Sequence, residues 1–527
     1  MKEPIAITMR SRLLRVDALR MIEQAAAKRW PSGTLMQRAG EAAAREAMTM
    51  ALERPGPVLV LAGPGNNGGD ALVTARLLRE RGVDVRVALF DDAARFRGDA
   101  AHAYASWREA ASPDAHADAA VIDPSTVIGN ATLVIDGLFG IGISRAPSGK
   151  ARDWIALVNA ARCPVLALDV PSGLDADTGH AAGIAIEADR TITFIAAKPG
   201  LYTADGPDHC GEIVIDSLGL SLDDDGLRDT VLEPGQIGSI NRPALFDTAL
   251  KPRRENSHKG SFGSVAVIGG NDGMVGAALL ASRMALQSGA GRVYVKLLAA
   301  SAPRFDVVHP EMMLRESLEG VGASAVAIGP GLGQGDAALA MLEPWIATKS
   351  AIVIDADALN AIATHRTLFD RLAGRAAQGL LVAVLTPHPL EAARLLGVDA
   401  KAVQADRIQA AIELARRTQS VVVLKGAGSV IADASGVWVI NTTGNPGLAS
   451  GGTGDVLCGL VAGLLAQHLS PLDAARAATW LHGTAADELV AQGIGPIGLT
   501  ASELLPAIRA ALNRLVGESM DSASVGR

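Results

Sequence analysis

The sequence predicts a two-domain α/β protein, and its length, its alternation of elements and one lapse in that alternation carry the prediction. At 527 residues the chain exceeds what one ordinary core serves and suits two domains of about 250 residues each. Short runs that are apolar at every position, each followed by a helix-length stretch, are the mark of parallel strands covered on both faces. From about 235 to 260 this alternation stops in a stretch rich in Pro, Gly, Asn and charge. The boundary is placed there: domains at 1–235 and 236–516, with a tail, GESMDSASVGR, expected to be disordered at 517–527.

Taken in order, residues 13–52 carry helical spacing through LLRVDALRMIEQAA and LMQRAGEAAAREAMTMAL, broken at Pro31 and Gly33. Strands are then predicted at 58–62 (VLVLA), 85–90 (VRVALF), 132–136 (TLVID), 165–170 (VLALDV) and 191–196 (TITFIA). The first domain reads as a doubly wound, Rossmann-like three-layer α/β/α sheet. The pattern restarts with 264–270 (SVAVIGG), 293–298 (VYVKLL), 325–331 (AVAIGPG), 351–358 (AIVIDADA), 380–389 (LLVAVLTPHP) and 421–426 (VVVLKG), a second α/β unit.

The net charge of −8 and the absence of a Lys/Arg run exclude a nucleic-acid surface, which needs clustered cations. Cys163, Cys210 and Cys458 include no CxxC pair and read as buried small hydrophobes. The N-terminus has no continuous apolar region for export, and the longest apolar stretch, 456–469, is short of the roughly 20 residues that span a bilayer. A cytoplasmic, membrane-independent protein acting on small molecules is expected, as a homo-oligomer.

In open parallel sheets, ligands sit beyond the carboxyl ends of the strands. Three strands here end in polar residues: Asn66, Asn67 and Asp70 after the first, Asp136 after the third, and Asp169 and Ser172 after the fourth. GPGNNG at 63–68 also matches GxGxxG, with Asp91 and Asp92 about two dozen residues later, so a dinucleotide-binding dehydrogenase competes. The paired asparagines and the second polar loop, DVPSGLDADTG at 169–179, favour a set of amides, carboxylate and hydroxyl that suits a hard monovalent cation as well as a sugar phosphate.

LMQRAG, GPGNNGGDA, DGLFGIGISR at 136–145 and DVPSGLDADTG, in this order, resemble the NAD(P)H-hydrate epimerases over residues 10–235. The resemblance implies that the hydrated dinucleotide is held by Asn66, Asn67, Gly68, Gly69 and Asp70, by Gly140, Ile141, Gly142, Ile143, Ser144, Arg145 and Ala146, and by Asp169. It implies K⁺ at Asn67, Asp136 and Ser172. Ala71 and Ile141 stand where the family usually has glycine and threonine.

The second site is read from GNPGLASGGTGDVL at 444–457, where glycines open a helix that offers backbone N–H groups to an anion, with Asp455 beside it as a base. A helix N-terminus contributes about 0.3–1 kcal/mol toward an anion, so several N–H bonds must add to it. This loop, with HKGSFGSVAVIGG, GPGLG at 329–333, DADALN at 355–360 and LTPHPLEAARLLG at 385–397, resembles the ADP-dependent NAD(P)H-hydrate dehydratases, which have a ribokinase-like α/β/α sheet. It implies ADP, carried with Mg²⁺, at Lys425, Gly426, Ala427, Gly428 and Ser429, and at Asn445, Pro446, Gly447, Leu448, Ala449, Ser450, Gly451, Gly452, Thr453 and Gly454. It implies hydrate contacts at Ala277, Gly331, Gly333, His388 and Asp455. Met274 and Val275 replace the aromatic residue expected before Gly276.

The two resemblances imply metabolite repair: epimerisation of R and S hydrates, with Asp169 as acid and base, and ADP-dependent dehydration of the S hydrate with Asp455 as base. The sequence leaves open a ribokinase-like kinase for a vitamin or other alcohol, fused to a noncatalytic nucleotide-binding module. GGTGD alone does not separate phosphorylation from phosphorylation followed by elimination.

Overall fold

The computed structural model describes residues 12–51, 55–110, 122–142, 145–221 and 235–524. The chain divides into two compact units, Met1–Ser239 and Ile240–Arg527, the division falling inside the Pro- and Gly-rich stretch.

The first unit opens with a short strand, β1 (Arg12–Leu14), where helical spacing was expected from residue 13; helices Val16–Ala27 and Thr34–Ala51 follow. Three residues are too few to display a strand period. Strands β2 (Val58–Ala62), β3 (Val85–Leu89), β4 (Leu133–Gly137), β5 (Val165–Leu168), β6 (Arg190–Phe194) and β7 (Glu212–Asp216) form a parallel sheet of order β3-β2-β4-β5-β6-β7. β8 (Ile237–Ile240) pairs antiparallel with β1, Arg12 opposite Ser239. Alternate residues of β2 enter different cores. Val58, Val60 and Ala62 meet the layer of helices Val16–Ala27, Thr34–Ala51 and Asn66–Glu80. Leu59 and Leu61 meet Trp154, Ile155 and Val158 of helix Lys150–Ala160 on the other face. A sheet buried on both faces needs apolar residues at every position, which is why the strands read as unbroken runs.

The second unit holds β9 (Ser264–Gly269), β10 (Arg292–Leu297), β11 (Met313–Leu314), β12 (Ala325–Ile328), β13 (Ala351–Ile354), β14 (Val384–Leu385), β15 (Val421–Leu424), β16 (Ser429–Ala432) and β17 (Trp438–Asn441). Their order is β17-β16-β15-β14-β13-β12-β9-β10-β11, parallel except for the antiparallel β15-β16-β17 meander. One face packs on helix Thr453–Ala466, which is apolar almost all round and buried nearly throughout, as a helix inside a core must be. The last helix, Ala501–Ser524, runs through Gly517, where a disordered tail was expected; residues 525–527 lie outside the described set. Among the described residues no helix is long and apolar enough to cross a membrane.

Candidate active sites

In the first unit the sheet reverses direction at β2, which has β3 on one side and β4 on the other, so the loops leaving β2 and β4 part and open a crevice. Glycines let these loops close on each other. A Cβ on Gly63 would sit 1.8 Å from the Leu138 carbonyl oxygen, and one on Gly68 would sit 1.7 Å from that of Gly63. A cavity of about 880 Å³ opens above them, and Asn66, Asn67, Asp70, Gly140, Ile141, Gly142, Arg145 and Asp169 line it. Gly69 lies behind that lining, where a Cβ would meet the Met36 thioether. Ala146 is exposed and outside the lining; Ile143 and Ser144 fall outside the described residues.

Beneath the cavity, Asn67, Asp136 and Ser172 converge. The Ser172 hydroxyl donates to Asp136 Oδ1 at 2.7 Å, and its backbone N–H donates to Oδ2 at 2.8 Å. Asn67 Nδ2 donates to the Phe139 carbonyl at 2.9 Å. Asn67 Oδ1 is buried without a partner, a costly arrangement that a cation would relieve. The donor set of amide, carbonyl, carboxylate and hydroxyl oxygens suits a hard cation. Burial pushes the Asp136 carboxyl up to about 6 against the hydrogen bonds from Ser172 and Leu138.

Asp169 has a left-handed backbone, φ 64°, a strained conformation for a residue with a Cβ. Its Oδ1 accepts from the Phe194 N–H at 3.1 Å and from the Lys198 ammonium, which also donates to Thr193 Oγ1 at 2.9 Å and to the Phe194 carbonyl at 2.8 Å. Lys198 and Glu23 on the cavity wall are among the charged groups that the sequence reading missed, with Arg20 and Asp99. Lys198 carries a faint signal, as a lone cation just past the fifth predicted strand. Glu23 carries none, since a polar residue in a helical pattern looks like any solvated one.

In the second unit the reversal lies between β9 and β12. A Cβ on Gly269 would sit 2.0 Å from the Pro330 carbonyl oxygen, so the loops after these strands meet. This sets Gly331 (φ 59°) against Ala277, and Gly333, whose N–H donates to Asp357 Oδ2 at 2.9 Å, beside Asn271. Farther along, Asp355 at the end of β13 pairs with Lys425 past β15, Nζ to Oδ1 2.9 Å. Burial works against the Lys425 charge, but Asp355 and Glu391 outweigh it and its pKa lies above the ordinary value.

Gly452 (φ 90°) turns the glycine loop into helix Thr453–Ala466, and Asp455 occupies its first turn. A Cβ on Gly454 would lie 3.5 Å from Lys425 Nζ, so the ammonium faces the loop whose first N–H groups have no intrahelical acceptor. KGAGS and GNPGLASGGTG are thereby brought together. Burial, then the Asp355 charge, push Asp455 up to about 6, with Lys425 opposing. Gly426 (φ 144°) and Gly428 (φ 58°) bend the segment Lys425–Ser429, in which Ser429 Oγ accepts from the Gly426 N–H at 3.3 Å.

The loop is tied from behind. Asp487 accepts from the Gly444 N–H at 2.8 Å and from Asn445 Nδ2 at 2.9 Å, while Asn445 Oδ1 accepts from the Gly447 N–H at 3.0 Å. Ser450 Oγ lies 2.8 Å from the Gly447 and Leu499 carbonyls, and Thr453 Oγ1 reaches the Leu448 carbonyl at 2.8 Å. Pro446, Gly447 and Leu448 form a 3₁₀ turn ending at Ala449; Gly451 has open space above its Cα. Buried His482, its pKa lowered by burial to about 4, is neutral and bonds the Thr453 carbonyl at 3.0 Å. His388 is first a helix cap: Nδ1 accepts from the N–H groups of Leu390 (3.1 Å) and Glu391 (3.3 Å), and Glu391 answers from the His388 N–H at 2.8 Å.

Two family models match the chain. One, described as YjeF-related protein N-terminus, covers residues 32–200, and the other, described as NAD(P)H-hydrate dehydratase, covers 265–509. The chain is 38% identical over 486 residues to the bifunctional NAD(P)H-hydrate repair enzyme of Coxiella burnetii, covering 91% of this chain and 94% of that one. It belongs to this family. The Escherichia coli relative is 40% identical over 492 residues, covering 91% of this chain and 89% of that one. A solved ADP/ATP-dependent NAD(P)H-hydrate dehydratase from Bacillus subtilis, co-crystallised with ATP/Mg²⁺, is 31% identical, covers 52% of this chain and 98% of that one, with a TM-score of 0.46.

Proposed function

We propose that the first unit interconverts the R and S forms of hydrated NADH and NADPH at C6, and that the second dehydrates the S form with ADP, giving NAD(P)H, AMP and phosphate. The observation that carries the reading is the placement of Asp455, a partly buried carboxylate beside a glycine loop faced by the paired Lys425. A carboxylate of pKa about 6 is ionised at neutral pH yet basic enough to accept a proton. Asp455 takes the hydroxyl proton as that oxygen attacks the β-phosphoryl of ADP and AMP departs. N–H groups of Gly451–Gly454 stabilise the charge on the transferring group. Phosphate then leaves C6 with a push from the ring nitrogen, and loss of the C5 proton restores the double bond. Mg²⁺ accompanying the nucleotide would offset phosphate charge.

The dehydration geometry admits one stereoisomer, since hydroxyl, base and phosphoryl must lie in line. Epimerisation rescues the other. In the first unit, Asn67, Asp136, Ser172 and the Phe139 carbonyl would hold K⁺, which supplies a fixed positive charge beside the dinucleotide phosphates. Asn66–Asp70 and Gly140–Ala146 embrace the substrate.

The test mixes the full chain with racemic hydrated NADH, Mg²⁺ and ADP and follows the reduced-nicotinamide absorbance. Complete recovery supports both activities. Recovery that halts near half leaves only the dehydratase, and accumulation of a phosphorylated hydrate returns the second unit to a simple kinase.

A further inference from the structure

Four carboxylates line the cavity of the first unit; one of them, Asp99, is taken up by the Ser32 hydroxyl and the Gly33 N–H. Glu23 comes from helix Val16–Ala27, Asp70 from the first turns of helix Asn66–Glu80, and Asp169 from the end of β5. Their settings differ. Asp169 Oδ1 is taken up by the Lys198 ammonium and the Phe194 N–H, a set that reaction at this oxygen would have to break. Among the described residues, neither the Asp70 nor the Glu23 carboxylate accepts a hydrogen bond, and both face the space where the substrate sits. Glu23 also lies before the stretch, 32–200, that matches the first family model.

We propose that Asp70 and Glu23 are the acid–base pair of the epimerisation, one entering protonated and the other ionised, while Asp169 stays a fixed anion against the ring cation. The proposal rests on the epimerase reading of this unit. The protonated member gives its proton to the C6 oxygen as the C6–O bond breaks, the N1 lone pair forms the C6=N1 bond and water leaves. Water then adds to C6 from the opposite face, the π electrons return to nitrogen, and the ionised member takes the released proton. The pair ends with its proton exchanged, ready for the reverse reaction. A planar cation attacked from two faces needs a proton donor and an acceptor from different segments, which carboxylates on two separate helices supply.

The surroundings favour one shared proton. Burial, then the Asp169 and Glu23 charges, hold Asp70 well above the ordinary carboxylate range, with Lys198 opposing. Burial and Asp169 raise Glu23, with Lys198 and Arg20 opposing. Asp99 and Arg145 complete the charged lining.

R/S exchange of hydrated NADH is followed by NMR across pH in the full chain, in Glu23→Gln, in Asp70→Asn and in Glu23→Asp. Each amide variant slows exchange by about 100-fold or more, with KM for the hydrate within about threefold of wild type. Loss of the proton from the protonated member gives wild type an alkaline fall in rate, and the amide variant of that member lacks it while the other amide variant keeps it. Glu23→Asp, which keeps a carboxyl, recovers about tenfold over Glu23→Gln. Exchange by Glu23→Gln within about threefold of wild type, or a loss that lies wholly in KM, overturns the proposal. A wild-type chain that does not exchange the hydrates removes the epimerase reading itself.

Discussion

Each unit places a lysine against an aspartate at the carboxyl edge of a parallel sheet, but the pair is used differently. In the first unit Lys198 binds Asp169, the aspartate that the polar loop after β5 singles out. In the second, Lys425 binds Asp355 and leaves Asp455, one helix away, without that ion pair. A carboxylate tied to an ammonium is a fixed charge; one that is partly buried and untied is a proton carrier. Asp455 fits the second description. In the first unit Asp70 and Glu23 fit it better than Asp169.

The largest effect that tests this difference is at Asp455. Asp455→Asn lowers dehydration turnover by about 10³-fold or more while ADP affinity, measured by calorimetry, stays within a few-fold, because the amide keeps the shape and loses only the proton acceptor. A variant with near-normal turnover ends the base assignment. R/S exchange in the same protein is unchanged, since the other unit performs it.

Next comes the fixed pair. Lys198→Met strands the Asp169 carboxylate, which is 14% exposed, without its ammonium. Removing one partner of a buried pair costs about 3–5 kcal/mol, and native-state hydrogen exchange at the amides of β5 and β6 is the measurement, since it reports this unit alone. A loss under about 1 kcal/mol would mean that the ammonium does not hold the Asp169 carboxylate, contradicting its role as a tied charge.

The fold was legible wherever a strand is buried on both faces: Val58–Ala62, Val165–Leu168, Ala325–Ile328, Ala351–Ile354 and Val421–Leu424 are apolar at every position. β7 escaped because Glu212–Asp216 is a partly exposed edge strand with acids at both ends. β16 and β17 escaped because a tight turn at Asp433–Gly436 joins them, so no helix marks the gap between them. Candidate site residues at strand ends and in the first turns of helices, such as Asp136, Asn67 and Asp455, were legible because a polar residue abruptly following an apolar run, or a glycine loop, has few structural reasons to be there. Glu23 and Asp487 sit inside helices Val16–Ala27 and Pro471–Ala491, where acids on a solvated face have the same pattern. Only tertiary contact distinguishes them.

The pH profiles sharpen the comparison further. Asp455 has a pKa raised to about 6 and acts in its ionised form, so kcat/KM for dehydration is flat at neutral pH and falls about tenfold per unit below about 6. The exchange reaction, which needs a protonated carboxyl as well as an ionised one, has in addition a fall as pH rises, which dehydration lacks. An exchange profile without the alkaline fall would mean that the first unit uses no protonated carboxyl as donor.

The smallest predicted effect is at Asp487, which touches no reacting atom. Its two oxygens hold the Gly444 N–H and the Asn445 amide, and Asn445 in turn holds the Gly447 N–H, so the loop's curvature depends on a chain of three bonds anchored in helix Pro471–Ala491. Asp487→Asn keeps the volume but can accept through one oxygen only, leaving one loop donor unpaired at a cost of about 1–2 kcal/mol. That cost falls on the ordered, nucleotide-binding form of the loop. KM for ADP therefore rises by roughly five- to thirtyfold, the equivalent of that energy, with kcat changed by less than about threefold. A fall in kcat with unchanged KM would instead place Asp487 among the groups that align Asp455, extending the proton-handling machinery of the second unit well behind its loop.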